Sequence, residues 1–285
     1  MQIDFFIADL RANVLNESEE LATLFDTFSE EAIAAYSWLE PNLKNLDNKS
    51  KVLEIGAGLM ILSCFLVKCG FKVTALEPIG TGFSEFKTLQ KLIIDYAVKN
   101  NCKPIIETTP IENFKLIKHF DFAFSVNVME HVKDFSKAIV NAHGALKTNG
   151  QYRFSCPNYI FPYEPHFNIA TLFNKKLTEL VFKDKIYNNR KLEDPAGVWE
   201  SLNWINVCKI SNVVKGIDNA TVFFNTKMLS DVILRATTDS VFASRRSKWM
   251  IKIAEYAIKF KLNKLFGFLP ASAMPTIDCT ITRNS

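Results

Sequence analysis

Two groups of residues in this chain have the types and spacing to do chemistry. The first is Lys51-Val52-Leu53-Glu54-Ile55-Gly56-Ala57-Gly58-Leu59-Met60, where an apolar strand pattern runs into a glycine-rich turn and then an apolar helical pattern. Strand, tight turn and helix in that order hold a ligand at the helix N-terminus, where unpaired N–H groups point outward. Gly56 and Gly58, on either side of Ala57, let the backbone turn sharply and come close to that ligand. Glu54 stands two residues before Gly56, at the carboxyl end of the strand. A carboxylate there repels a pyrophosphate and attracts the ammonium of an amino-acid-like ligand. Ile61 occupies the position where a dinucleotide fingerprint asks for its third glycine. Both observations point away from NAD and FAD.

A second carboxylate follows. Phe71-Lys72-Val73-Thr74-Ala75-Leu76 reads as a strand ending in Glu77-Pro78, about twenty residues after the glycines. That is the spacing at which an acidic side chain accepts the hydroxyls of a ribose. Ribose recognition is common to NAD and S-adenosyl-L-methionine, and Glu54 decides for the latter. Methyl transfer from a sulfonium is an in-line displacement in which the protein mainly aligns the nucleophile; a hydroxyl nucleophile also needs a base for its proton.

The second group holds the candidate bases. His131 lies in Asn127-Val128-Met129-Glu130-His131, directly after the apolar run Phe120 to Val126, and residues 128 to 132 read as the opening of a helix. Glu130 and His131 either orient a substrate at the sheet edge or cap that helix. His166 ends Pro157-Asn158-Tyr159-Ile160-Phe161-Pro162-Tyr163-Glu164-Pro165-His166, where three prolines restrict the backbone and can hold Glu164 beside it. That pair is either a base with its orienting carboxylate or a loop whose polar groups satisfy one another. His119 and His143, in polar connections before strands, read as surface residues.

Taken in order, VLEIGAG, TALEP, FDFAFSVNVMEHV and ALKTNGQYRFSCPN resemble the successive motifs of class I S-adenosylmethionine-dependent methyltransferases, notably the small-molecule branch with the ubiquinone-pathway enzymes. The resemblance covers roughly residues 50 to 160. It implies S-adenosyl-L-methionine as cofactor, with Asn127 facing its methionine end, Ile111 over the adenine, and His131 where the acceptor meets the methyl group. Tyr36, in N-terminal helices that in relatives lie over the cofactor, either approaches the site or packs in a helix interface. Met60 departs from the pattern, since many relatives carry a third glycine there. Asn149-Gly150 replaces the usual Pro-Gly or Gly-Gly but serves the same turn. Amino-methylating enzymes of DNA and protein often carry Asn/Asp-Pro-Pro-Tyr where this chain has Ser125-Val126-Asn127-Val128. The expected acceptor is therefore a small organic or lipid-linked molecule, methylated at oxygen.

The elements that must position these residues alternate between strand and helix periodicity. Strands are predicted at 52–55, 71–76, 104–107, 120–126 and 151–156, then at 221–224 and 276–281, with a helix from Leu59 to Lys68 stopped by Gly70. The expected fold is α/β: a doubly wound, mostly parallel seven-stranded sheet of the Rossmann-like methyltransferase type, with helical N-terminal and inserted cap segments. The predicted divisions are a helical segment at 1–50 ending near Pro41 and Asn42, a cofactor-binding core at 51–156, an aromatic-rich substrate-side cap at 157–219, and a final segment at 220–285.

Composition bounds the alternatives. A hydrophobic content of 48% with 12% aromatics supports a large core. The net charge of +4 is too weak by itself to imply nucleic acid. Cysteines 64, 69, 102, 156, 208 and 279 show no metal-ligand spacing, so no metal is expected. The N-terminus lacks a basic segment before an apolar one, and no run has the length of a membrane span, which predicts a cytoplasmic setting. Residues 244 to 269 mix Arg245, Arg246, Lys248, Lys252, Lys259, Lys261 and Lys264 with large apolar residues. Such a basic amphipathic segment lies on an anionic membrane surface, is a solvated face over a buried one, or holds RNA in an RNA methyltransferase or RNA-binding protein. A noncatalytic methyltransferase-like module is the remaining alternative, and intact Glu54, Gly56, Gly58 and Glu77 count against lost cofactor binding. Oligomeric state leaves no mark on the sequence.

Overall fold

Strands meant for the middle of a parallel sheet are apolar on both faces, because helices cover both sides. β1 (Lys51–Ile55) buries every residue after Lys51, β2 (Lys72–Leu76) every residue after Lys72, and β4 (Phe120–Val126) carries Phe122, Ala123 and Phe124 at the core. The computed structural model describes residues 2–78, 84–190, 192–238, 243, 248–262 and 268–285. With β3 (Ile105–Glu107), β5 (Leu146–Pro157), β6 (Ala220–Phe224) and β7 (Thr276–Arg283), these strands form one seven-stranded sheet in the order β3-β2-β1-β4-β5-β7-β6. β1 pairs in parallel with β2 and with β4, placing Glu54 level with Ala75 and Phe124. β2 pairs in parallel with β3. The expected mostly parallel α/β sheet is what the chain forms. Strand order reverses between β1 and β4, and the carboxyl ends on either side of such a reversal are where open α/β sheets bind ligands.

The described residues divide into two compact units, 1–126 with 140–152 and 282–285, and 127–139 with 153–281. In the first, α1 (Ile3–Leu15) and α2 (Glu19–Leu43) precede the sheet, Ser18 capping α2 by accepting the Leu21 N–H at 3.3 Å. α2 runs past Pro41 to Leu43, two residues beyond the expected stop; the missing N–H costs one bond in the last turn, and burial of Leu39 and Leu43 holds that turn. Tyr36 packs edge-on against Phe65 of α3 (Ile61–Lys68), ring centres 5.0 Å apart, so it belongs to a helix interface. α4 (Ser84–Lys99) and α5 (Phe135–Ala145) complete the helices that flank these strands in sequence.

Local backbone chemistry moves several boundaries. α3 begins at Ile61 instead of Leu59 because Gly58 and Met60 are both left-handed, at φ 52° and 63°. β5 starts at Leu146 and passes through Asn149, left-handed at φ 63°, so the Asn-Gly bend lies within the strand instead of before it. A Cβ on Gly150 would sit 2.9 Å from the Lys147 carbonyl, which is why glycine follows that bend. Residues 128 to 132 form a turn, and α5 starts only at Phe135, with the Asp134 carboxylate accepting the Lys137 N–H at 3.0 Å. His143, expected at the surface, is buried in the last turn of α5 beside Ala142 and Ala145.

In the second unit, α6 (Lys175–Tyr187), α7 (Pro195–Ser201) and α8 (Val207–Lys215) lie between β5 and β6, and α9 (Met228–Thr238) and α10 (Lys248–Lys259) between β6 and β7. Of the basic segment, Ser244–Ser247 and Asn263–Gly267 lie outside the described residues, as do the side chains of residues 248–250. α10 turns Ala254 and Ala257 inward and leaves Ile253 and Tyr256 exposed, and Phe260, just past its end, is exposed as well. No helix among the described residues is long and apolar enough to cross a membrane.

The strands of this unit are tied by a buried ion pair. Arg153 of β5 reaches Asp278 of β7 through Nε at 3.0 Å and Nη2 at 2.8 Å, and Asn225, after β6, adds a bond to Asp278 Oδ2 at 2.8 Å. Removing one partner strands the other charge, so Asp278→Ala should cost about 3–5 kcal/mol of stability in urea denaturation. A loss below about 1 kcal/mol would show that the pair does not hold the strands.

Candidate functional site

The glycine turn works as its residue types require. Gly56, at φ 71°, and Ala57 both point their N–H groups back to the Leu76 carbonyl, at 2.8 and 3.3 Å, which folds the turn across the end of β2. Gly58 then donates its N–H to Glu77 Oε2 at 2.7 Å, while its carbonyl accepts from Gln90 Nε2 at 2.7 Å. A Cβ on Gly58 would meet nothing within 4 Å, so the turn presents open backbone. Gln90 carried no sequence signal: a polar residue on an amphipathic helix looks like any solvated position.

Both predicted carboxylates border this turn. Glu54 is buried, and Ser63 of α3 donates its hydroxyl to Oε2. Burial pushes its pKa up to about 8, with Glu77 adding to the shift and the Ser63 bond opposing it. Burial also raises the pKa of Glu77, against the lowering influence of the Gly58 N–H. Both acids thus stand partly withdrawn from water at one turn, where their ionised forms are costly without a partner. Pro78 follows Glu77 as a half-buried residue. Ile111 is buried in a 3₁₀ turn, Ile111–Asn113, whose carbonyls at Ile111 and Glu112 accept from Asn141 Nδ2 at 2.9 and 2.8 Å.

The second unit brings the histidine group together. Asn127, left-handed at φ 53°, donates its N–H to Ser155 at 2.9 Å and turns the chain out of β4. Asn203 pins the following turn: its Nδ2 bonds the carbonyls of Met129 and Val132 at 2.7 and 2.8 Å, and its N–H bonds that of Glu130 at 2.8 Å. His131 and His166 meet edge to face with ring centres 5.2 Å apart. His166 Nδ1 lies 2.5 Å from Glu164 Oε1, and Glu164 Oε2 accepts the Phe167 N–H at 2.7 Å. Glu164 is fully buried, and a β-bridge to Ile169 closes its loop. Tyr159 donates to Glu164 at 3.3 Å and stacks on Trp204 at 4.4 Å; Trp204 in turn meets Trp199 edge-on.

The electrostatics differ sharply among these neighbours. Burial alone lowers the pKa of His166, but the hydrogen bond and charge of Glu164, helped by Glu130, lift it above the usual value. Burial, reinforced by His166, drives His131 down to about 4. Burial drives Glu130 up to about 7. Glu130 is fully buried and caps no helix. Asn203 and Ser201, which position the group, gave no signal in the sequence because they lie some seventy residues away from it.

Residues 25–192 match the family model described as a methyltransferase domain. The chain belongs to the methyltransferase domain family. It is an S-adenosyl-L-methionine-dependent methyltransferase, and S-adenosyl-L-methionine is its cofactor. The methyltransferase is 41% identical over 281 residues to an uncharacterized protein of Mycobacterium tuberculosis, covering 99% of this chain and 95% of that one. It is 28% identical over 111 residues to the ubiquinone biosynthesis O-methyltransferase of Rickettsia felis, covering 39% of this chain and 43% of that enzyme. In fold it is similar to Haemonchus contortus phosphoethanolamine N-methyltransferase 2, solved with S-adenosyl-L-methionine, at 14% identity and a TM-score of 0.49, covering 89% of this chain and 51% of that one.

A carboxyl whose folded pKa is about 8 stays protonated in the folded chain while its unfolded counterpart ionises near 4.5. Its stabilising contribution is complete below the lower value and lost as pH rises towards the upper one. Thermal midpoints of the cofactor-free methyltransferase should therefore fall between about pH 5 and pH 8, with Glu130 acting in the same direction. Glu54→Gln, which keeps the Ser63 contact, should flatten the fall; equal slopes in both proteins would refute the assignment.

Proposed function

We propose that this methyltransferase moves the methyl group of S-adenosyl-L-methionine to an oxygen of a small organic or lipid-linked acceptor, with His166 taking the hydroxyl proton. The observation that carries this reading is the buried Glu164 bonded to His166 Nδ1 at 2.5 Å. Such a carboxylate holds the imidazole in one orientation and stabilises the cation that forms when the ring accepts a proton. His131 lines the acceptor side of the same group. The likeness to an O-methyltransferase of Rickettsia felis supports oxygen as the nucleophile, and the stacked Tyr159, Trp204 and Trp199 supply an apolar wall that suits a small-molecule pocket.

On the cofactor side, Glu54 pairs with the ammonium, the Gly56-Ala57-Gly58 backbone lies against the methionine moiety, and Glu77 accepts the ribose hydroxyls. Pro78 and Ile111 border the adenosine, and Asn127 faces the methionine end. The Gly58 N–H uses one lone pair of Glu77 Oε2 and leaves Oε1 for a ribose hydroxyl. Titration with S-adenosylhomocysteine, with NADH as control, should show binding of the former alone. Glu77→Ala should weaken it by roughly 1.5–3 kcal/mol for each hydrogen bond to a ribose hydroxyl that the substitution removes. Unchanged affinity would remove Glu77 from the site. In a screen of hydroxylated acceptors with methyl-labelled cofactor, His166→Gln should slow transfer by about 10²–10⁴-fold at unchanged S-adenosylhomocysteine affinity; full activity would exclude the base.

The exposed face of α10 favours a membrane-surface setting for that acceptor. Ile253, Tyr256 and Phe260 are 57%, 61% and 62% exposed, and Lys252, Lys259 and Lys261 are exposed among them. Apolar side chains ringed by lysines match an anionic bilayer surface. Vesicles rich in phosphatidylglycerol should sediment the protein, neutral vesicles should not, and Phe260→Asp should weaken the retention. Failure of anionic vesicles to retain the wild-type protein would sink this reading.

A further inference from the structure

Three groups of metal-ligand type converge in the second unit. Glu130 is fully buried, and neither carboxylate oxygen has a hydrogen-bond partner among the described residues. Its Oε1 lies 3.9 Å from His131 Nε2. The tautomer of His131 follows from its other nitrogen. Ser201 gives its hydroxyl proton to the Val198 carbonyl at 2.8 Å, so at 2.7 Å from His131 Nδ1 it must accept, which puts the ring proton on Nδ1 and leaves Nε2 bare. His166 is oriented in the same way, its Nδ1 towards Glu164, which leaves Nε2 to carry either a proton or a metal ion. One ligand atom from each of Glu130, His131 and His166 lies within 4.8 Å of the other two.

A buried carboxylate with no hydrogen-bond partner among the described residues, beside two imidazoles, is unfavourable unless something positive sits between them. We infer that Glu130, His131 and His166 bind a divalent cation of the zinc, iron or manganese class. Two imidazoles and one carboxylate are the donor set such ions take when coordination positions stay open for a further ligand. Ser201 and Glu164 bond the far nitrogens of the two rings, as partners of metal-bound histidines commonly do. Asn203, which pins the 129–132 turn, fixes the spacing of Glu130 and His131. The competing occupant is a proton on His166 Nε2, which would give Glu130 its missing donor.

The inference goes beyond the proposed methyl transfer and does not depend on it. With an ion bound, His166 is a ligand instead of the base proposed above, so methyl transfer after complete chelation tests the base and the binding measurement tests the ion. The direct test uses the full chain stripped with a chelator. It should take up one equivalent of Zn²⁺ by calorimetry, and Co²⁺ should give visible absorption bands. Glu130→Gln, nearly isosteric, should lower Zn²⁺ affinity by at least about 100-fold, and Glu164→Gln by about 10–100-fold. Retained S-adenosylhomocysteine binding shows that each variant is folded; should Glu130→Gln not fold, His166→Gln makes the same test. No uptake by the wild-type chain at neutral pH, or uptake unchanged in the variants, would assign the position to the proton.

Discussion

A carboxylate held out of water needs something positive or hydrogen-donating beside it, and this chain commits several to such places. Glu54 ends β1 with a serine hydroxyl as partner. Asp278 in β7 meets a two-pronged arginine. Glu164 is met by a histidine ring, a backbone N–H and a tyrosine hydroxyl. Glu130 has no such partner among the described residues. The series runs from Asp278, whose charge is paired, to Glu130, whose oxygens lack a hydrogen-bond partner among the described residues.

Backbone geometry creates those places. Left-handed residues punctuate the ends of strands, at Gly56, Gly58 and Met60 after β1 and at Asn127 after β4. Each ends the regular hydrogen-bond ladder abruptly, so the chain turns at the carboxyl end of its own strand instead of continuing directly into a helix. Met60 stands where the resemblance implied a third glycine, and it takes the left-handed conformation itself, buried at φ 63°. Packing supplies the energy that offsets its left-handed strain.

Burial also separates titration states that the sequence would make equal. His131 and His166 are the same residue type with touching rings, yet one is driven towards neutrality and the other towards charge. The difference lies in their second nitrogens, one bonded to a hydroxyl and the other to a carboxylate. A neutral and a chargeable imidazole side by side can divide the tasks of binding and proton movement.

The sequence by itself determined the order of strands and helices, the glycine turn, the two acids at the ends of β1 and β2 and, through them, the methyltransferase class. These are short-range features: a strand period, a turn and a carboxylate lie within a few residues of one another, and their chemistry is local. It also placed Glu164 beside His166, two residues apart on a proline-restricted loop. Only the tertiary structure decided that Glu130 is buried without a hydrogen-bond partner among the described residues, that His131 and His166 touch, that Ser201 and Asn203 position them, and that α10 turns alanines inward and Tyr256 outward. Each depends on which face of an element packs against residues far away in the chain. Solvent exclusion, which sets charge state and hydrogen-bond demand, exists only after that packing.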